Sequence, residues 1–181
     1  VPALSDASIG TTDATKYNSA VFAKLRPSSG TGQDICFRKA DGLWCVTNDG
    51  AGTYSTTPVL ASSVFSDANG WNVAQFQRTI QFADVNGDGL GDLCAEKANA
   101  VTCYLNQSTS TTIAFATTAT TVLSGLGGDA ALLTNDNYRT IKFADVTGDG
   151  KPDLCYRSSA GLNCAPNTST TSVSFGAVQL L

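Results

Sequence analysis

The chain has 181 residues, 42 % of them hydrophobic and only 14 % charged, with a net charge of −4 and neither histidine nor methionine. Such a length makes one or two domains with a buried core, and the acidic balance argues against nucleic-acid binding. No apolar run approaches the roughly 18 residues of a membrane helix. Without histidine or a Gly-x-Ser-x-Gly motif no familiar hydrolytic constellation assembles, so no enzyme activity is expected.

Starting at Val1 rather than Met, the sequence leads us to expect that an upstream signal or pro-segment was removed. From there three repeats follow, approximately 1–60, 61–123 and 124–181, making a single module over 1–181. A polar lead-in opens the first two: Leu4-Ser-Asp-Ala7 matches Phe65-Ser-Asp-Ala68. An apolar strand comes next, at Ala20–Ala23, Thr79–Phe82 and Thr140–Phe143. A loop and a hairpin with two cysteines then lead to a Ser/Thr-rich outer strand near Pro58, Thr121 or Val178. Each repeat therefore predicts four short antiparallel strands bounded by Gly, Asn, Asp and Ser turns. In the threonine run 109–121, spaced Ile113, Phe115 and Val122 favour a partly exposed edge strand, since Thr suits a pleated surface.

The loops of the second and third repeats carry oxygen side chains at alternate positions. They are Asp84, Asn86, Asp88 and Asp92, then Asp145, Thr147, Asp149 and Asp153. Leu90 or Lys151 would add a main-chain carbonyl, giving the oxygen-only donor set that a hard cation such as calcium takes. An EF-hand fails on spacing, because the twelfth residues are Ala95 and Tyr156 where that loop needs Glu. The first repeat reads Lys24-Leu-Arg-Pro-Ser-Ser-Gly-Thr-Gly-Gln-Asp34 and keeps only the last carboxylate, with Lys24 or Arg26 expected to supply positive charge internally. Two calcium ions per chain are expected.

Six cysteines form three pairs nine residues apart: Cys36/Cys45, Cys94/Cys103 and Cys155/Cys164. Six cysteines allow fifteen connectivities. The repeated spacing sets each pair opposite in a hairpin and favours the three local bridges, each contributing about 2–3 kcal/mol. A zinc site competes poorly without histidine. Disulfides imply an oxidising compartment, so a secreted, extracellular protein is expected. Two Asn-x-Ser sequons, at Asn106 and Asn167, occupy equivalent places after the second hairpin strand and would carry glycan only in a eukaryotic host.

These loops, with Phe65-Ser-Asp-Ala-Asn-Gly-Trp71 and the two hairpins Cys36–Cys45 and Cys155–Cys164, resemble FG-GAP/VCBS repeats over essentially the whole chain. The resemblance implies an all-β fold, a β-propeller with three four-stranded antiparallel blades per chain. Propellers close with four to eight blades. Closure to six by a second copy is therefore expected, or else completion by the remainder of a longer chain. Resembling propeller lectins, the chain is expected to bind a glycan or glycoprotein between blades, with Trp44 and Trp71 as stacking candidates and Tyr138, Arg38 and Arg157 as polar neighbours. The alternatives are an adhesion or protein-interaction scaffold, and the non-catalytic propeller part of a larger secreted enzyme.

Overall fold

Each repeat forms one four-stranded antiparallel sheet in the computed structural model, which describes residues 19–27, 32–126 and 137–181. The first sheet runs β1 (Val21–Ala23), β2 (Asp34–Lys39), β3 (Gly42–Val46), β4 (Val59–Ser62). The second runs β5 (Gln81–Ala83), β6 (Asp92–Lys97), β7 (Ala100–Tyr104), β8 (Thr120–Ser124). The third runs β9 (Lys142–Ala144), β10 (Asp153–Ser158), β11 (Gly161–Ala165), β12 (Gln179–Leu180). Strand order equals sequence order throughout, as expected of up-and-down blades. The lead-in 4–7 lies outside the described residues.

The central hairpins turn in two residues, which fixes their register. Ala98 and Asn99 take positive φ of 53° and 66° at the second of them, the backbone such a turn demands. That register sets Cys36 opposite Cys45, Cys94 opposite Cys103 and Cys155 opposite Cys164, and all three local disulfides are formed.

Alternation then gives every sheet two apolar faces, and successive sheets stack on them. Ala23, Leu25 and Leu43 of the first sheet pack against Leu93, Ala95 and Phe115 of the second. Ala83, Val85 and Val101 of the second likewise pack with Ile141 and Leu154 of the third. A fully buried Leu or Val at such a seam contributes about 1.5–3 kcal/mol. The lead-in before the second sheet adds more than a polar turn. It holds a 3-10 turn at Asp67–Asn69 and a short helix α1 (Ala74–Gln77), and it buries Phe65 and Trp71 with ring centroids 4.4 Å apart.

One expectation is corrected. Of the run 109–121 only its last two residues enter a strand, β8, while Ile113 and Phe115 are buried rather than on an exposed edge. Phe115 stacks on Phe82 and bridges singly to Asn106, so seam packing overrides the β propensity of the threonines. The sequons turn out to be structural as well. Asn106 donates from Nδ2 to the carbonyl of Leu25 in the preceding sheet (3.0 Å), and Asn167 to that of Val85 (3.2 Å). Glycan on either nitrogen would remove a seam contact.

Glu96 in β6 is fully buried, and its Oε2 has no hydrogen-bond partner. Burial pushes its carboxyl pKa up, against a smaller downward pull from the Asn99 N–H. The stability associated with a raised acid is complete below its unfolded value, about 4.3, and is lost as pH rises through the folded value. Glu96→Gln is therefore expected to raise the urea midpoint above that of the natural chain near pH 8 and to leave it nearly unchanged near pH 4. Equal midpoints at both pH values would refute a buried carboxylate penalty.

Candidate metal loops and ligand cleft

The Asp/Gly loops are shaped by their own carboxylates. Asp84 accepts the N–H groups of Gly87 (2.7 Å) and Asp88 (3.0 Å) on Oδ1, and that of Gly89 (2.7 Å) on Oδ2. Asp145 does the same for Gly148, Asp149 and Gly150. Gly87, Gly89, Gly148 and Gly150 take φ of 80–85°, which winds the loop tightly enough for this. Asn86 and Asp88 lie side by side, with an Nδ2 to Oδ2 bond of 2.9 Å. Lys151 sends its ammonium to the carbonyl of Ser169 (2.6 Å).

At the end of each loop stands a fully or nearly fully buried carboxylate that opens the next strand: Asp34, Asp92 or Asp153. Each holds the N–H of the asparagine fourteen residues on, Asn48, Asn106 or Asn167, at 2.8 Å. Asp92 also accepts from Val85 N–H, and Asp153 from the N–H groups of Val146 and Thr147. Burial pushes Asp92 up to about 6, helped by the negative charges of Asp88 and Asp84 and opposed by its two N–H donors. For Asp153 burial also acts upward, but its three N–H donors outweigh it and the pKa lies below the usual carboxylate value.

The first sheet shows what such a carboxylate accepts when the acidic series is missing. Arg26 donates to Asp34 Oδ2 from Nε (3.2 Å) and to Oδ1 from Nη2 (2.9 Å), and it also reaches the carbonyls of Asn48 and, in the second sheet, Ser110. Of the two cations expected here, Arg26 is the one that binds. A positive charge thus sits on Asp34, the counterpart of Asp92 and Asp153, and the donors of the other two loops are the hard oxygens a divalent cation takes. Among the described residues no three His, Cys, Asp or Glu side chains converge closely enough to form a finished cage. The carboxylates of Asp84 and Asp145 are instead turned onto backbone N–H groups.

The five ligand candidates are dispersed. Trp71 is 3 % exposed, with Lys97 over its ring, and Tyr138 is 6 % exposed and accepts from Arg78 (3.3 Å). Arg38 is fully buried, donating to the carbonyl of Phe65 (2.6 Å) and pairing with Asp67. Trp44 is half-buried, donates to Asp41 (2.8 Å) and carries the ammonium of Lys39 over its ring at 4.4 Å. Arg157 is exposed and donates to Asn137 (3.4 Å).

An opening that no sequence motif marked lies where the outer part of the first sheet meets the second. This cleft of about 510 Å³ is lined by Thr47, Ser55, Thr57, Thr111 and Thr112, with Val59, Leu60 and Ile113. None of these residues is charged. Leu60 stands opposite Trp44 in the register of β3 and β4. Only the general Ser/Thr richness of the sequence hinted at it.

Arg26→Leu leaves Asp34 buried without a counter-charge, which costs about 3–5 kcal/mol of stability. The double variant Arg26→Leu/Asp34→Asn is expected to recover much of this in denaturant melts. A double variant no more stable than the single one would show that charge pairing is not what Arg26 provides.

Residues 84–156 match the model of an FG-GAP-like repeat. A lectin of Agrocybe aegerita, described as recognising non-reducing terminal N-acetylglucosamine, superposes with a TM-score of 0.63 at 23 % identity over 88 % of this chain. The match covers 37 % of that lectin. A chain of the Photorhabdus luminescens Tc holotoxin pore superposes with a TM-score of 0.50 at 22 % identity, over 90 % of this chain and 7 % of its own length. No curated protein sequence matches. Motif and fold agree: the chain is a β-propeller-type protein of three blade-like sheets, carrying an FG-GAP-like repeat at residues 84–156.

Proposed function

We propose that the chain is a secreted, calcium-stabilised propeller module that binds neutral carbohydrate rather than catalysing a reaction. The observation that carries this reading is the uncharged, hydroxyl-rich cleft between the first and second sheets. Recognising a sugar takes hydrogen-bonding hydroxyls beside apolar surface, and an uncharged lining suits a neutral ligand. The fold shared with the Agrocybe lectin supports it. Three disulfides and the lack of any membrane-length apolar helix among the described residues support secretion. A second copy is the proposed partner that completes the ring. Because the chain spans about a third of the lectin and a small part of the toxin chain, membership of a longer polypeptide is the competing reading.

Calcium is assigned to Asp84, Asn86, Asp88, Leu90 O and Asp92, and to Asp145, Thr147, Asp149, Lys151 O and Asp153. The positive charge of Arg26 on Asp34 supports a cation at these loops. An ion that binds only the folded state at 100 times its Kd adds about 2.7 kcal/mol. Excess EDTA is therefore expected to lower Tm by roughly 5 °C or more for a chain of this size. An unchanged Tm would end the assignment.

A glycan array and titration calorimetry test the ligand, with N-acetylglucosamine as first probe because the Agrocybe lectin recognises it. The double variant Thr57→Val/Thr112→Val, which removes two hydroxyls from the cleft lining, is expected to weaken binding about 2- to 10-fold, the range of a lost hydrogen bond. The carbohydrate reading fails if no neutral glycan on the array is retained.

A further inference from the structure

The three sheets are built alike, but their cysteine-bearing faces are not covered alike. Leu25 and Val85 stand two residues beyond the first strand of their sheets, and both are 0 % exposed; Val146, at the same place in the third, is 52 % exposed. Leu43 and Val101 are 0 % exposed, whereas their counterpart Leu162 is 49 % exposed. Ala23 and Ala83 are buried and Ala144 is exposed. Arg38 is buried and Arg157 exposed, although both occupy the same position in their hairpins. Residue type does not explain the difference. The first two sheets are each followed by another sheet, and this face of the third has none against it among the described residues.

The covered seams show what a covering repeat brings. Its loop asparagine donates Nδ2 to the carbonyl at the Leu25 position, as Asn106 and Asn167 do. Its lead-in lays a carbonyl and an aspartate on the arginine of the preceding hairpin, as Phe65 and Asp67 do on Arg38. The third sheet carries both receiving groups, the Val146 carbonyl and the Arg157 guanidinium. The first repeat carries the donating asparagine. Asn48 stands to Asp34 as Asn106 stands to Asp92, and its Nδ2 has no such carbonyl among the described residues. Leu4-Ser-Asp-Ala7 repeats Phe65-Ser-Asp-Ala68. The corresponding face of the first sheet is apolar, with Ile35, Phe37 and Val46 clustered beside Trp44 and Tyr54.

We propose that the open face of the third sheet docks the first repeat of a second copy, with Asn48 donating to the Val146 carbonyl. This rests on the reading that two copies complete the ring, and it names the surface by which they do so. Two such contacts, related by a two-fold axis, return the chain to its start and close six sheets.

Sedimentation velocity and light scattering on the 181-residue chain, from low to high micromolar concentration, test it. The natural chain is expected at twice 18.7 kDa. Arg157→Asp and Leu162→Asp are each expected to raise the dimer Kd about 30-fold or more, with far-UV circular dichroism unchanged. A dimer that persists in Arg157→Asp and Leu162→Asp overturns the surface while leaving the two-copy reading intact. A natural chain that stays monomeric throughout overturns both.

Discussion

A carboxylate shut away from water at the start of the second strand of every sheet is the constraint around which this molecule is arranged. Asp34, Asp92 and Asp153 each tie the strand they open to the segment after the hairpin through a backbone N–H, and Asp92 and Asp153 hold their loops in the same way. Burying that charge is unfavourable unless something answers it. The repeats answer it differently. The first uses a guanidinium from its own loop. In the second it faces the N–H groups of Asn106 and Val85, and in the third those of Asn167, Val146 and Thr147. The same geometry therefore tolerates several sources of compensation.

From that carboxylate the order of the sheets follows. The asparagine it positions reaches back to the preceding sheet, so loop geometry and stacking are set by one pair of side chains. Arg26 extends the link, since it touches Asp34 and also Ser110 of the second sheet. Where the first two sheets meet, the outer segments stay apart and leave the hydroxyl-lined cleft. Ile113 belongs to both regions, lining the opening and packing in the seam below it.

Much of this was legible in the sequence, and for specific reasons. The nine-residue cysteine spacing fixes a two-residue turn and a facing pair, so hairpin and disulfide were readable together. The alternating oxygens located the loops because that period is unusual outside them. Burial was harder to read. Trp71 looks like a ligand platform in one dimension and proves to be packed against Phe65. Arg38 and Arg157 are indistinguishable by position, and only the presence or absence of a following sheet separates them. Ile113 and Phe115 carry strand propensity, yet their place is set by side chains on another sheet, which a local window does not contain. The cleft was invisible because its residues come from two repeats and share no motif.

All three cross-links join neighbouring strands of the same sheet, and among the described residues none joins one sheet to the next. Disulfide chemistry is confined to the module, while contact between modules rests on side-chain packing and hydrogen bonds, among them Gly91 N–H to the Lys24 carbonyl (2.9 Å). A gene that gained or lost one repeat by unequal recombination would leave every cysteine with its partner. Lineages carrying this module are thus free to vary the number of units without passing through an intermediate that bears an orphaned thiol.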